Sequence, residues 1–195
     1  MARPRSITGE RLLAATATVI GRVGPGFTLA QVAAEAGVAV GIFSQRYGSK
    51  TGLLQAVSRH STRETVTRMR EYAEVADGGV AGLRAALVQT YAGLGDAETA
   101  ANHLGQLGVD IGDPALRALL GEHYAAVEDE LRLLVEAAAP ELPHAPASRR
   151  AARTLLAVVN GTALDWSIRP EGELAGRLEE DVDAVLSAWR GREGQ

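Results

Sequence analysis

The spacing of apolar residues predicts helices along almost the whole chain. Apolar positions recur every three or four residues, as Leu13, Ala17 and Ile20 do, and no segment alternates apolar and polar residues as a strand would. Glycine and proline interrupt this pattern, and each interruption predicts a helix end. The predicted helices lie at about 8–22 and 28–36, then one ends at 47, one starts after Ser49, and five more lie at about 80–94, 97–111, 114–139, 147–169 and 173–190. The chain is therefore predicted to be an all-α protein of about nine helices.

Several residues occupy positions that start or end these helices. Thr28, Ser49 and Asp113 each precede a helical pattern, and their side-chain oxygens can accept a hydrogen bond from a free backbone N–H of the first turn. Pro114 suits the first helical position, where its missing N–H costs no hydrogen bond. Gly37 follows the helix at 28–36, and a glycine there tolerates the positive φ of a tight turn.

The composition restricts the class of protein. Hydrophobic residues make up 46% of the chain but aromatic residues only 4%, so aliphatic side chains and alanine must fill the interior, which suits close-packed helices. There is no cysteine, which excludes disulfides and thiolate chemistry. No apolar stretch approaches the roughly 18 residues of a membrane span, and the N-terminus lacks an apolar signal segment. We therefore expect a cytoplasmic protein that needs no membrane and no cofactor.

The net charge of −4 conceals an uneven distribution. Residues 1–60 carry seven basic and two acidic side chains, a net charge of +5, whereas the remainder carries 13 basic and 22 acidic side chains, a net charge of −9. A basic segment on an acidic body is typical of a protein that binds a polyanion through that segment. Chance segregation of solvated charges would give the same numbers, so charge alone leaves both interpretations open.

The segment Thr28–Leu54 carries the most specific pattern. It predicts two short helices joined by a turn, with the small residues Ala33 and Gly37 where the helices cross. The core behind them is expected to consist of Val32, Val38, Phe43 and Tyr47. The second helix then exposes its N-terminal half and outer face, which is the geometry of a helix-turn-helix motif with its recognition helix in the major groove of DNA.

This segment resembles the TetR/AcrR family of bacterial regulators. The resemblance rests on Thr28, Ala36-Gly37-Val38, Ala39-Val40-Gly41, Tyr47 and Ser49–Leu54, together with Arg11–Ala15 in the first helix. It implies a three-helix head at residues 1–50 that binds DNA, followed by a helical bundle at residues 51–195 that senses a ligand and dimerises. The rest of the chain matches in helix number, length and order, and loosely resembles the choline-responsive branch of the family.

Three positions depart from the family pattern. Ala39 stands where a serine usually caps the recognition helix, and Ser44 stands where a tyrosine usually contacts DNA. Arg46 replaces a frequent histidine or tyrosine and restores a cation nearby. These departures affect the expected operator sequence more than the expected fold.

The residue types suggest how this head would contact DNA. Phosphates would be bound by Thr28, Arg46 and Lys50, the only lysine of the chain. Gln45 can pair with an adenine edge, while Ala39 and Val40 can contact a thymine methyl group. The complete set of predicted DNA contacts is Arg3 and Arg5 in an arm at the minor groove, Thr28, Ala39, Val40, Gly41, Ile42, Ser44, Gln45, Arg46, Tyr47 and Lys50.

A second prediction concerns dimerisation. Useful specificity requires two heads on a two-fold operator. The last two helices carry apolar stripes, namely Ala151, Leu155, Val159 and Ala163 on one, and Leu174, Leu178, Val182, Val185, Leu186 and Trp189 on the other. These stripes either form a homodimer interface, as the family resemblance implies, or face the core of their own chain.

A third prediction concerns a small-molecule effector. Side chains with an apolar body and a polar tip on the middle helices are the candidates for binding it: Tyr91, His103, Gln106, His123, Tyr124, Asn160 and Trp166. Each of them would also be ordinary as a core or surface residue. Gly105 and Gly108 weaken their helix, so this helix could move when an effector binds.

Together these patterns predict a ligand-responsive transcriptional regulator, most simply a repressor that binds a palindromic operator as a dimer and is released by its effector. An enzyme or metal carrier on a helical bundle is the first alternative. Against it, His103, Asp110, His123 and Glu128 lack the spacing that puts metal ligands on one helix face. A regulator that is constitutive or controlled by another protein is the second alternative.

Overall fold

The computed structural model describes residues 8–93 and 96–191, which form nine α-helices and no strand. This confirms the prediction of an all-α fold. Two short 3₁₀ turns, Gly24–Gly26 and Ala139–Glu141, follow the first and the seventh helix. In chain order the helices are α1 (Gly9–Val23), α2 (Leu29–Ala36), α3 (Gly41–Tyr47), α4 (Lys50–Val75), α5 (Gly79–Ala92), α6 (Ala97–Gly112), α7 (Pro114–Ala138), α8 (Ser148–Ile168) and α9 (Leu174–Arg190).

The helix starts follow from the side chains that precede them. The Ser49 hydroxyl accepts a hydrogen bond from the Gly52 N–H at 3.0 Å at the start of α4. The Asp113 carboxylate accepts bonds of 2.8 and 3.0 Å from the N–H groups of Ala115 and Leu116 at the start of α7. Each bond satisfies a backbone donor that has no partner within its helix. The caps predicted at both positions are confirmed.

The described residues fall into two compact units, which we call the first and the second unit. The first comprises residues 8–61 and 101–121, and the second comprises residues 62–93, 96–100 and 122–191. The chain passes between the units within α4, α6 and α7. Since these units are not simple consecutive segments, the division into a head at 1–50 and a body at 51–195 remains a prediction.

The first unit is built around a small apolar core. Its members come from α1 to α4, from the turn before α2, and from α7. The most deeply buried of its larger side chains are Leu12, Val19, Phe27, Val32, Phe43 and Leu53. Two phenylalanines and a few aliphatic side chains therefore hold three short helices and the start of α4 together.

The second unit has a larger core made mainly of aliphatic side chains. Residues of α4, α5, α7, α8 and α9 contribute to it, and Met69, Leu83, Leu87, Leu131, Leu155 and Leu178 are all fully buried. Aromatic residues add little to it: Trp166 is buried, and Tyr91 and Trp189 are partly buried against it. Close packing of leucine, valine and alanine between the helices thus fills the core with few aromatic side chains.

The structure corrects the interpretation of the stripes on the last two helices as a dimer interface. Ala151, Leu155 and Val159 of α8 are fully buried in the core of their own unit, and Ala163 is 7% exposed. On α9, Leu174, Leu178, Val182 and Leu186 are buried in the same core, with Val185 and Trp189 partly buried against it. The assignment of these stripe residues to the interface was wrong because periodicity reveals that a face is buried but not which surface covers it. A homodimer through the last two helices remains a prediction.

Polar side chains fasten the helices of the second unit at its surface. Arg84 of α5 forms ion pairs with Asp183 at 2.6 Å and Glu179 at 3.2 Å on α9. The Arg84 guanidinium lowers the pKa of the Asp183 carboxyl through this hydrogen bond. The Arg70 guanidinium of α4 donates two hydrogen bonds, of 2.8 and 2.6 Å, to the buried Glu130 carboxylate of α7. Glu130 therefore has the paired cation that a buried carboxylate requires.

Large apolar side chains are exposed at the start of α3 and on α8, among other places. Val40, which immediately precedes α3, is 42% exposed, and Ile42 in its first turn is 38% exposed. On α8, Leu164 and Ile168 lie one turn apart and are 46% and 69% exposed. Of the helices that the structure describes, none is both long and apolar enough to span a membrane.

Candidate nucleic-acid interface and ligand cluster

A tight turn connects α2 to α3 in the first unit. Gly37 ends α2 in the left-handed conformation, with φ of 69° and ψ of 39°. The Gly37 N–H donates to the Ala34 carbonyl at 3.2 Å, and the Val38 N–H donates to the Ala33 carbonyl at 2.9 Å. These bonds satisfy the last carbonyls of α2, and a side chain at Gly37 would be strained. The turn predicted from Ala36-Gly37-Val38 is present.

The small size of Gly37 has a different reason from the one expected. A Cβ added at Gly37 would meet no atom within 4 Å, so the helix crossing does not require a glycine there. Ala33, in contrast, is 1% exposed and lies in the core of the unit. The crossing therefore uses Ala33 alone of the two, and Gly37 is needed for its positive φ.

One face of α3 is anchored in the core and the other is exposed. Phe43 is 1% exposed, and the Tyr47 ring lies 6.1 Å from the Phe43 ring, partly buried against the same core. The structure brings the other predicted contacts of this helix together on its exposed start and outer side: Ala39, Val40, Gly41, Ile42, Ser44, Gln45 and Arg46 are all exposed. No side chain caps α3, and its N-cap residue in the structure is Val40, one position after Ala39.

Thr28 caps α2 and is engaged within that cap. Its hydroxyl oxygen accepts a bond from the Gln31 N–H at 3.2 Å, and the Gln31 side-chain oxygen accepts from the Thr28 N–H at 2.7 Å. This reciprocal pair is a capping box. Thr28 is exposed, so its position at a helix N-terminus still suits a phosphate contact.

Arg46 lies beside the start of α1. A Cβ added at Gly9 would be 2.7 Å from the Arg46 Nη2 atom, so the guanidinium occupies the space that a side chain at residue 9 would fill. The arm residues Arg3 and Arg5 precede α1 and lie outside the described residues.

Lys50, at the first position of α4, reaches back to the turn between α1 and α2. Its ammonium donates to the Pro25 carbonyl at 2.8 Å and to the Phe27 carbonyl at 2.7 Å. It also lies 3.9 Å from the centre of the Phe27 ring. Burial lowers the pKa of Lys50. Sequence reasoning missed these partners because they lie more than 20 residues away along the chain.

Two further residues of this unit have structural roles that the sequence did not reveal. A Cβ added at Gly52 would be 2.1 Å from the Tyr47 carbonyl oxygen, so only glycine allows the end of α3 to approach α4 this closely. Asn102 of α6 donates to the Gly21 carbonyl at the end of α1 at 2.9 Å. A glycine inside a helical pattern was the available signal for Gly52, whereas nothing in the sequence indicates the partner of Asn102.

Four of the seven effector candidates form one cluster in the second unit. The Asn160 side chain of α8 lies close enough to the Tyr91 hydroxyl of α5 to lower its pKa, and Tyr124 of α7 lies close enough to raise it. The His123 ring lies 6.0 Å from the Tyr124 ring, edge to face, and its Nδ1 is 3.1 Å from the Thr62 hydroxyl of α4. Four helices thus contribute a polar tip to this cluster, which we call the Tyr91 cluster.

The groups of the Tyr91 cluster are uncharged at neutral pH. Burial raises the pKa of Tyr91 far above its ordinary value, so its hydroxyl keeps its proton. Burial lowers the pKa of His123, so its imidazole is neutral. The cluster therefore offers hydrogen-bond donors and acceptors without a formal charge.

The remaining three candidates lie elsewhere. Trp166 is buried in the core of the second unit, where its Nε1–H donates to the Gly172 carbonyl at 3.2 Å. His103 and Gln106 belong to the part of α6 in the first unit. The Gln106 amide donates to Asp110 at 2.8 Å, and its Oε1 is buried without a hydrogen-bond partner in the described part of the chain. Across residues 8–93 and 96–191, no three His, Asp or Glu side chains lie together as metal ligands would.

Two family models match separate parts of the chain. Residues 12–57 match the model described as bacterial regulatory proteins, tetR family. Residues 111–190 match the model described as BetI-type transcriptional repressor, C-terminal. The first match includes α2 and α3, and the second includes the whole of α7, α8 and α9.

Curated relatives match part of the chain. The HTH-type transcriptional regulator BetI of Burkholderia mallei is 38% identical over 89 residues, which is 45% of this chain and 46% of that protein. The BetI of Burkholderia cenocepacia is 44% identical over 61 residues, which is 31% of each protein. The matched segment thus spans less than half the length of these regulators.

Solved structures share the fold over nearly the whole chain. The transcriptional regulator FadR from Bacillus subtilis, solved in complex with stearoyl-CoA, has a TM-score of 0.73 at 16% identity and covers 92% of this chain and 98% of that one. SmeT, the repressor of the Stenotrophomonas maltophilia multidrug efflux pump SmeDEF, has a TM-score of 0.67 at 19% identity and covers 94% and 91%. At these identities the likeness concerns the fold.

The close approach at Gly52 gives a testable prediction. We expect Gly52→Ala to destabilise the first unit by about 1–3 kcal/mol, the usual effect of forcing a methyl group into a packed site. Gly41→Ala is the matched control, because a Cβ at Gly41 would meet no atom within 4 Å. Urea unfolding followed by circular dichroism, with hydrogen exchange of the α2 and α3 amides, measures both variants. Equal stability of the two would contradict the packing described here.

Proposed function

The chain belongs to the TetR family of bacterial transcriptional regulators, which are DNA-binding proteins and not enzymes, and we propose that it is a repressor released from its operator by a small molecule. The observation that carries this proposal is the outer side of α3, which is exposed while Phe43 holds the helix on its core. A helix presented in this way suits the major groove. Since DNA is its partner, we propose that the protein acts in the cytoplasm.

In the proposed complex, the start of α3 approaches the bases. Val40 and Ala39 would contact thymine methyl groups, and Gln45 would pair with an adenine edge. Arg46 and Thr28 would bind phosphates on either side. The net charge of +5 on residues 1–60 supports this role, and the arm residues Arg3 and Arg5 would add contacts in the minor groove.

We propose that a homodimer forms through α8 and α9, using a different face of α8 from the stripe that packs in the core. Thr154, Ala157, Gly161, Leu164 and Ile168 follow one another at intervals of three and four residues, and all are exposed. An exposed stripe of small and apolar residues suits close packing against a second helix. Two-fold symmetry would then make the operator a palindrome.

We propose that the Tyr91 cluster binds the effector. Its polar tips come from α4, α5, α7 and α8, and its groups are uncharged, which favours a ligand held by hydrogen bonds and apolar contacts. His103, Gln106 and Trp166 remain candidates on the sequence prediction. FadR, which shares the fold, was solved with stearoyl-CoA, and this supports a role for the helical body in binding small molecules.

DNA binding is tested first by fluorescence anisotropy on pooled random duplexes at two salt concentrations, followed by selection and sequencing of the bound fraction. We expect enrichment of a two-fold-symmetric site. Arg46→Ala should weaken binding to all sequences and reduce the salt dependence by about one counterion per phosphate contact. Gln45→Ala should instead relax the preference at one base position, at a cost of about 1–3 kcal/mol.

Arg149→Ala is the control for these variants, because it removes the same charge from an exposed site on α8 in the second unit. It should leave both affinity and sequence preference unchanged. Absence of binding by the unaltered protein at low salt would refute the proposed function.

The proposed interface is tested with Leu164→Arg, which puts a charge into the exposed stripe of α8. We expect this variant to be monomeric in analytical ultracentrifugation, because a buried unpaired charge opposes association. Leu133→Arg is a closely matched control, since Leu133 on α7 is 47% exposed and Leu164 is 46% exposed. If both variants remained dimeric, the interface would lie elsewhere.

The effector site is tested by thermal unfolding with candidate ligands, beginning with choline and stearoyl-CoA. A ligand at a hundred times its Kd should stabilise the protein by about 2.7 kcal/mol and release it from the operator. Tyr91→Phe, which removes the hydroxyl of the cluster, should reduce this shift, whereas Tyr72→Phe on α4 should not. If no ligand acted while DNA binding persisted, the protein would be a regulator without a small-molecule effector.

A further inference from the structure

The ammonium of Lys50 is largely occupied within the protein. An ammonium has three N–H donors, and two of them are used by the carbonyls of Pro25 and Phe27 at 2.8 and 2.7 Å. The face of the Phe27 ring lies 3.9 Å away, and Phe27 itself is 2% exposed. A cation in this arrangement is held by charge-assisted hydrogen bonds and by the ring.

One of the two carbonyls lies in the turn Gly24–Gly26 and the other belongs to Phe27, the residue that follows it. The turn Gly24–Gly26 is closed by one long bond, from the Phe27 N–H to the Gly24 carbonyl at 3.3 Å. At such a chain reversal the last carbonyls have no partner along the backbone. Lys50 supplies both partners with a single group, which the compact ammonium can do more readily than a planar guanidinium. The other 19 basic residues of the chain are arginines, which makes the lysine at this position notable.

These bonds connect the two ends of the helix-turn-helix segment. Phe27 directly precedes Thr28, the cap of α2, while Lys50 follows α3 after two residues. The contact therefore joins the start of α2 to the end of α3, and the intervening segment contains both helices. Joining the two ends restricts the orientations that α3 can take relative to α1 and α4.

We propose that Lys50 is a positioning residue that fastens the turn at Pro25–Phe27 to the start of α4 and so orients α3, and that it does not bind a DNA phosphate. This inference rests on the proposed DNA-binding function for its consequence, but the contact itself is a property of the free protein. It replaces the role that sequence reasoning assigned to Lys50. Lys50 acts on DNA recognition through α3 and does not touch the operator.

The single lysine of the sequence makes a direct test possible in the unaltered chain. With lysine labelled with ¹³C at Cε, the spectrum contains one lysine signal. We expect this signal to be shifted by the Phe27 ring, to titrate below the ordinary lysine pKa of about 10.4, and to keep its position when the selected operator is added. A signal at the position of an exposed lysine, or one that moves to a new position on DNA binding, would overturn the proposal.

Variants separate positioning from phosphate binding. Lys50→Met should weaken binding to all sequences by about ten-fold or more, the size expected for lost charge-assisted hydrogen bonds, with the salt dependence unchanged. Arg46→Ala is the comparison, since a lost phosphate contact should make the salt dependence shallower. Lys50→Arg should fail to restore affinity, whereas a phosphate contact would tolerate arginine. A shallower salt dependence in Lys50→Met, or full affinity in Lys50→Arg, would assign Lys50 to the phosphate.

A third measurement requires no DNA and thus distinguishes this proposal from the proposed function. In Lys50→Met, the amides of α2 and α3 should exchange with solvent about ten-fold faster or more, while those of α8 and α9 should be unchanged. Arg46→Ala should leave all four helices unchanged. If the protein failed to bind DNA but showed this pattern, the positioning role would stand and the regulatory function would fall. Unchanged exchange in α2 and α3 would refute the positioning role itself.

Discussion

The burial of Phe43 behind α3 is the contact on which the proposed recognition surface depends. A helix of seven residues is too short to persist in water by itself, since the cost of starting it exceeds what a few hydrogen bonds return. Phe43 is 1% exposed, and the core that receives it is also built from α1, α2 and α4. The exposed residues of α3 are thus positioned by a core of which they are not members. One side of α3 therefore packs in the core through Phe43, and the opposite side carries the residues proposed to contact DNA.

Much of the fold could be predicted because the chain marks its helix ends with residues of specific chemistry. Ser49 and Asp113 cap α4 and α7 as expected, and Gly37 adopts the left-handed conformation that the Ala-Gly-Val sequence suggested. These features are local, since the side chain and the backbone group it satisfies lie within four residues of each other. The family resemblance in the first 54 residues rested on the same local features.

The parts of the site that sequence reasoning missed depend on contacts between distant residues. The partners of Lys50 and Asn102 are backbone carbonyls, which have no identity in a sequence. The stripe from Ala151 to Ala163 has the spacing of a buried face, but it is covered by the chain's own core. Likewise, Tyr91, Tyr124 and Asn160 were predicted one by one, and only the packing of α5, α7 and α8 brings them together.

The glycine at position 52 has a consequence for how such a protein can diverge. The approach of Gly52 to the Tyr47 carbonyl and the turn at Gly37 fix the backbone of α3 without using any side chain on its outer side. Substitutions at Ser44 or Gln45 therefore alter the chemistry presented outward at little cost in folding free energy. A duplicated copy of the gene could therefore acquire a new set of target promoters by single substitutions in α3. Substitutions at Gly37 or Gly52 would instead be eliminated by selection, because they strain the backbone or clash with it.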